Sequence, residues 1–254
     1  MEKMKGMIFA AGLGTRLKPL TDRMPKALVP VCGRPLLAWQ VDKLAAAGVS
    51  DLTVNVHHFA GQVESFLAAY PVEGVTYHVS DERACLLETG GALKRATPLL
   101  AADESPVLVH NADILSNADL VNLYRAGGGT NALLLVSPRR TNRYLLFDER
   151  MRLVGWLNEQ TGEVRSPYPD LSVASCRKYA FSGIHTVSPG LLRLMTDWPD
   201  RFSVMDFYLT VCRDYPIYGK LDENLRLLDV GKQESLAMAD EFLKTLLPVG
   251  RSPL

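Results

Sequence analysis

Ala10-Ala11-Gly12-Leu13-Gly14-Thr15-Arg16 follows a short apolar run, and Lys26 comes shortly after it. Small residues at positions 10, 11, 12 and 14 let backbone N–H groups come close to a chain of phosphates. Arg16 adds a planar fork for phosphate oxygens and Lys26 a point charge. A tight strand-to-helix turn with solvated basic residues would use similar residue types. Glycines, Arg and Lys together in one segment directly after a strand point instead to phosphate binding. Two familiar phosphate loops are excluded. A dinucleotide fingerprint needs a third small residue where Leu17 stands, and neither Gly219-Lys220-Leu221 nor Gly231-Lys232-Gln233 continues with Ser or Thr.

Two aspartates also fall at the ends of apolar runs. Asp113 closes Asn111-Ala112-Asp113 after residues 107–110, and Asp229 follows Leu225-Arg226-Leu227-Leu228. Together they could hold one Mg²⁺, which needs few protein ligands because phosphate oxygens and water complete its octahedron. Taken singly, each reads first as a helix cap or turn residue. Glu88-Thr89-Gly90-Gly91 has two readings as well. Its glycines and amides could meet a base edge, or Thr89 could cap the helix that follows. Gly183, inside Phe181-Ser182-Gly183-Ile184-His185, suggests a strand bulge before it suggests a ligand contact. His185 reads as a core or surface histidine, and His57-His58 as a strand-end pair.

The elements that must place these residues follow from hydrophobic period. Strands are expected at 5–10, 52–56, 75–79 and 107–110, alternating with helices at 36–48, 60–70, around 91–100 and near 118–125. This order predicts an α/β fold: a Rossmann-like, mixed and mainly parallel sheet flanked by helices, with ligands beyond the carboxyl ends of its strands. In the second half, 132–137, 144–147, 153–157, 179–187 and 225–230 read as strands, and 191–196, 203–215 and 233–247 as helices. Residues 162–176 read as a long loop over the site. One domain is expected, residues 1–130 forming its α/β first half and 131–254 an inserted or appended β-rich half.

Composition narrows the classes. The 254 residues carry 28 Lys plus Arg against 28 Asp plus Glu, so there is no electrostatic case for a nucleic-acid partner. No apolar run approaches the roughly 20 residues that span a bilayer. Met1-Glu2-Lys3-Met4-Lys5 leads into the first strand without a signal-type cleavage site. Four scattered cysteines, Cys32, Cys85, Cys176 and Cys212, suggest small buried hydrophobes in a reducing cytoplasm rather than a zinc or disulfide framework.

Residues 10–28 closely resemble the opening signature of the sugar-1-phosphate nucleotidylyltransferases: small-Ala-Gly-x-Gly-Thr/Ser-Arg, then Pro-Leu-Thr, then Pro-Lys-x-Leu. That resemblance extends through 87–93, 111–113, 181–185 and 229–231, and implies a nucleotidyltransferase fold of the GT-A-like kind. It implies that Ala10, Ala11, Gly12, Gly14 and Thr15 wrap the triphosphate, that Arg16 and Lys26 are catalytic, and that Asp113 and Asp229 hold Mg²⁺. It also implies that Glu88, Thr89 and Gly90 lie against the nucleobase, and Asn111 and Gly183 near the sugar. Glu88 stands where many guanylyl and uridylyl members have Gly. This variant is similar to the branch with N-acetylmuramate-1-phosphate uridylyltransferases and some mannose- or heptose-1-phosphate guanylyltransferases. The implied substrates are an NTP (UTP or GTP) and a sugar-1-phosphate, with UTP and N-acetylmuramate-1-phosphate the first choice. A mannose- or heptose-1-phosphate guanylyltransferase is the runner-up, and a phosphocholine cytidylyltransferase or a non-catalytic nucleotide-sugar sensor are the further alternatives. One departure stands out: the Lys that many members place on the sugar phosphate is absent from Asn158-Glu159-Gln160, leaving Arg177 or Lys178 as replacements.

Overall fold

The computed structural model describes residues 4–246; Met1-Glu2-Lys3 and Leu247, the last residue of the expected closing helix, lie outside them. In chain order the first half comprises β1 (Met4–Phe9), a small ribbon of β2 (Pro30–Val31) and β3 (Arg34–Pro35), α1 (Leu36–Ala46), β4 (Val49–Val56), α2 (Ala60–Ala69), β5 (Thr76–Asp81), α3 (Glu88–Leu100), β6 (Val107–Asn111), β7 (Ile114–Ser116) and α4 (Leu120–Gly127). The second half comprises β8 (Ala132–Ser137), β9 (Arg143–Phe147), β10 (Leu153–Asn158), β11 (Val164–Arg165), β12 (Arg177–Val187), α5 (Pro189–Arg193), α6 (Val204–Val211), β13 (Ile217–Leu221), β14 (Leu227–Asp229) and α7 (Gln233–Leu246).

Successive side chains of a strand point to opposite faces, and β1 shows the consequence. Met7 enters the core on one side, with Leu93, Val109, Phe147 and Phe207. Ile8 enters the other, with Leu37, Val41, Leu52 and Leu108. Helices cover both faces, so the central strands are apolar throughout rather than alternating. The main sheet runs β11-β10-β9-β12-β6-β1-β4-β5, and β8 joins β12 with β13 at its outer edge. Pairs β6–β1, β1–β4 and β4–β5 are parallel. The antiparallel additions centre on β12, which meets β6 and β8 along its C-terminal part and β9 at its start. This is the mixed, helix-flanked α/β sheet that the sequence predicts, with its parallel run in the first half.

β12 bends between these partners. Its register with β8 breaks between Phe181 and His185, and Gly183 sits there at φ +77°, a conformation that favours glycine. The bulge faces the carboxyl ends of β1 and β6, where the candidate site lies.

Several expectations need correction. Residues 203–215 are not one helix: α6 ends at Val211, and the chain turns into β13. β7 and the β2–β3 ribbon are further short elements that hydrophobic period does not reveal. The stretch expected as a long loop over the site contains the short β11, packs Tyr168, Leu171, Val173 and Cys176 against Leu146, Val154 and Leu157, and places Arg165 on the wall of a cavity beside β9 and β10. Of the cysteines only Cys212 is buried; Cys85 is exposed and the other two are half-buried. Among the described residues, no helix is long and apolar enough to cross a membrane.

His110 and His185 lie fully inside the protein, and burial drives both down to about 3. Among the described residues His185 has no hydrogen-bond partner at either ring nitrogen, and His110 none at Nε2. Both are therefore neutral when folded, while the unfolded chain takes up their protons below about pH 6.5. Stability is then complete above that pH and falls with acidification, by about 1.4 kcal/mol per pH unit for each histidine. Denaturant titrations between pH 6.5 and 5 are expected to show this slope, with His185→Leu making it shallower by one histidine's share. An unchanged slope in that variant would show that His185 is not the neutral buried group described.

Candidate active site

The site begins with hydrogen bonds across the carboxyl ends of β1, β4 and β5. The Ala10 amide donates to Asn55 Oδ1 (2.7 Å), and Asn55 Nδ2 donates to Glu82 Oε1 (2.7 Å). Glu82 Oε2 accepts the Leu87 amide at 3.2 Å. Glu82 is only 2% exposed, and burial pushes its carboxyl up despite the two donors. Ala10, Asn55 and Glu82 line a cavity of about 230 Å³, together with Ala11, Gly12, Lys26, Thr89 and Asp113.

Beyond Gly12 the glycine loop does a second job. Gly14 adopts φ +62°, and a Cβ there would stand 2.8 Å from Thr21 Cγ2 and 2.9 Å from Lys26 Cβ. Thr21 Oγ1 also donates to the Gly14 carbonyl at 2.8 Å. Gly14 thus lets the loop close over Lys26 and is not itself on the cavity wall. Thr15 and Arg16 occupy the single 3₁₀ turn that follows, exposed, with Leu17 buried beneath them.

Lys26 Nζ forms an ion pair with Asp113. Asp229 reaches the same place because β14 pairs with β7, setting Asp229 opposite Ile114, and the Val230 amide donates to the Asp113 carbonyl (2.8 Å). Much of Asp229 is open to solvent, but protein atoms crowd its carboxyl. Desolvation first, and then the neighbouring Asp113 charge, raise it above the usual carboxylate range, against the pull of Lys26 and Arg16. Gly231 leaves the room for this: a Cβ there would lie 2.7 Å from Asp229 Oδ1 and 2.8 Å from Arg16 Nη2. Arg16, Lys26, Asp113 and Asp229, widely spaced in sequence, are therefore neighbours.

The segment expected at the nucleobase is engaged differently. Glu88, at φ +62°, lines the cavity but accepts from Arg201 Nε at 3.0 Å. Thr89 also lines it, yet its Oγ1 accepts the Val204 amide (3.0 Å) at the start of α6 instead of capping α3. Gly90 does not face the cavity. Its amide donates to the Phe202 carbonyl at 2.9 Å, and a Cβ would lie 2.3 Å from the Phe202 ring. Its smallness serves helix-to-loop packing, which the sequence pattern cannot distinguish from ligand approach. Asn111 lines the cavity, and Gly183 backs it, since a Cβ on Gly183 would lie 2.6 Å from Asn111 Nδ2. His57 Nδ1 is bonded to the Glu82 carbonyl (2.7 Å), and His185 is core.

Neither proposed replacement for the missing lysine lines the site. Lys178 pairs with Glu159 at 3.5 Å, and Arg177 is exposed at the start of β12. Arg139, just beyond β8, is a residue that sequence reasoning missed, as are Asn55 and Glu82 at the first cavity. Arg139 Nη2 donates to the Phe181 carbonyl (2.8 Å), and its guanidinium feels the Asp229 charge. The available signal is an Arg139-Arg140 pair one residue, Pro138, beyond an apolar strand.

Residues 5–143 match the family described as Nucleotidyl transferase. N-acetylmuramate alpha-1-phosphate uridylyltransferase of Caulobacter vibrioides is 34% identical over 245 residues, covering 93% of this chain and 96% of that one. A mannose-1-phosphate guanyltransferase of Hypocrea jecorina is 34% identical over 147 residues, 56% of this chain and 40% of that protein. In fold, UDP-glucose pyrophosphorylase complexed with UDP-glucose superposes with a TM-score of 0.76 at 14% identity, over 96% of this chain and 99% of the other. HddC of Yersinia pseudotuberculosis, complexed with GMP-PN, gives 0.70 at 22% identity, over 94% and 99%.

Gly231→Ala tests how closely the four charged groups are set. Its Cβ meets only the tips of Asp229 and Arg16, so thermal stability should change little. A displacement of about 1 Å at reacting groups costs on the order of 100-fold in rate. Turnover is expected to fall towards that figure; full activity with an unchanged melting temperature would contradict the placement.

Proposed function

The chain belongs to the nucleotidyl transferase family and is a sugar-1-phosphate nucleotidylyltransferase, and we propose that its substrates are UTP and N-acetylmuramate-1-phosphate. The observation that carries this reading is the convergence of Arg16, Lys26, Asp113 and Asp229 at the mouth of the cavity. Near end-to-end likeness to an N-acetylmuramate alpha-1-phosphate uridylyltransferase supports the choice of substrates.

In the proposed reaction a phosphate oxygen of the sugar-1-phosphate attacks the α-phosphorus of the nucleotide in line. The bond from that phosphorus to the oxygen bridging to the β-phosphate breaks, and pyrophosphate leaves with the electron pair. The attacking phosphate is already anionic at neutral pH, so no general base is required. Catalysis rests on positioning and on charge neutralisation by Arg16 and Lys26. Amides of Ala11 and Gly12 face the phosphates; the Ala10 amide is held by Asn55 and fixes the loop instead. Asp113 and Asp229 suit Mg²⁺: they are hard oxygen donors close enough to repel, and Gly231 keeps their surroundings open. Bound there, the cation would supply charge neutralisation for the phosphates.

The base faces Glu82 and the loop at residues 86–89. The Glu82 carboxylate is an acceptor for the N3–H of uracil. It would equally accept the N1–H and 2-amino group of guanine, and this favours GTP with mannose- or heptose-1-phosphate as the second reading. We take residues 1–130 to carry the nucleotide and 131–254 the sugar, within one domain. A nucleoside triphosphate substrate implies a cytoplasmic enzyme.

Pyrophosphate release with Mg²⁺ across UTP, GTP, CTP, ATP and dTTP, each against muramate-, mannose-, heptose- and glucose-1-phosphates, tests the proposal. An optimum at UTP with N-acetylmuramate-1-phosphate is expected. A GTP and mannose or heptose optimum would replace the substrates, and nucleotide binding without any turnover would favour a sensor. Lys26→Ala should lower kcat by about 10²–10³-fold, the range for losing one preorganised charge-stabilising group. A rise in KM alone would contradict a transition-state role.

A further inference from the structure

A second cavity, of about 330 Å³, adjoins the nucleotide site. Ser203 on its wall precedes Val204, whose amide bonds Thr89, and Phe181 on its floor lies two residues before the Gly183 bulge that backs Asn111. Leu145 and Trp156, paired across β9 and β10, complete an apolar floor with Phe181. Arg139, Arg143 and Arg165 form its rim, with Asp206 the carboxylate among the lining residues.

This charge balance is uneven in a protein that is neutral overall. Arg165 is accounted for: its Nη2 pairs with Asp206 Oδ1 at 2.6 Å, and its guanidinium lies 5.7 Å from the Trp156 ring centre. Arg139 and Arg143 have no carboxylate ion-pair partner among the described residues. Arg139 stands at the end that feels Asp229. Arg143, two residues before Leu145 on β9, belongs to the same strand face as the apolar floor. One anion at Arg139 would leave the second guanidinium unmatched.

Resting on the nucleotidylyltransferase reading above, we propose that this groove recognises a sugar-1-phosphate bearing a second acid. Arg139 takes the 1-phosphate, in place of the absent lysine, and Arg143 takes a carboxylate on a short alkyl ether whose carbons lie over Leu145 and Trp156. A guanidinium offers a carboxylate two parallel hydrogen bonds, and an apolar floor suits the attached alkyl group. A neutral hexose phosphate fills only the first position.

N-acetylmuramate-1-phosphate and N-acetylglucosamine-1-phosphate differ only in the lactyl ether, so the ratio of their kcat/KM values with UTP reads the second position alone. Charge-assisted hydrogen bonds are worth about 10- to 150-fold, and the wild type should favour the lactyl substrate within that range. Arg143→Gln is expected to bring the ratio below about threefold, with Arg143→Lys between the two, as befits loss of a bidentate contact. Arg139→Gln should raise KM for both sugar phosphates and leave their ratio standing. A lactyl preference that survives Arg143→Gln overturns the inference while leaving the substrate reading intact. A wild type that prefers GTP and a neutral sugar phosphate overturns both.

Discussion

Leu17, Leu115 and Val230 are buried in one apolar cluster, with Val29, Val31, Leu36, Ala239 and Leu243. Leu17 follows Arg16, Val230 follows Asp229, and Leu115 lies two residues beyond Asp113. This contact joins the glycine loop, the β7–β14 ribbon and α7, and thereby gathers the charged groups of the site. Gathering them costs free energy, as the raised Asp229 carboxyl shows. Burying each large aliphatic side chain returns about 1.5–3 kcal/mol, which is the scale needed to hold carboxylates against their repulsion. The charges stay together because the hydrophobic residues beside them cannot separate without exposing that surface.

The two cavities depend on one another through shared walls. Phe202 and Ser203 run between them, held by the Gly90 and Gly91 amides on one side and by the bond from Val204 to Thr89 on the other. Glycines at 90 and 91 are required because the 200–202 segment approaches too closely for a Cβ. The two cavities therefore share a partition. The bulge at Gly183 plays the same part on the opposite side, backing Asn111 while turning β12 towards the antiparallel strands of the groove.

Much of this arrangement was legible in the sequence where local pattern and tertiary role agree. The parallel strands are long, apolar and separated by amphipathic helices, and the glycine loop carries its basic residues in a compact, ordered signature. Legibility failed where three-dimensional packing decides. β13 escaped notice because it is short, follows Pro216 and contains Gly219, where a Cβ would lie 2.7 Å from the Phe147 ring. The pattern around Gly14 and Gly90 predicts room for a ligand, whereas they make room for Lys26 and Phe202. Arg139 is not legible in the sequence, because the resemblance points to a cation beside residues 158–160. Only the β8–β12 pairing, which brings Arg139 to the Phe181 carbonyl, reveals it.

The central claim is that Asp113 and Asp229 act as one unit, although they stand far apart in the sequence. A double-mutant cycle on kcat/KM, with Asp113→Ala, Asp229→Ala and both together, tests it most directly. Groups that work as a unit are strongly non-additive, so the double variant should be scarcely slower than the worse single variant. Losses that multiply fully would show two independent carboxylates and contradict the account.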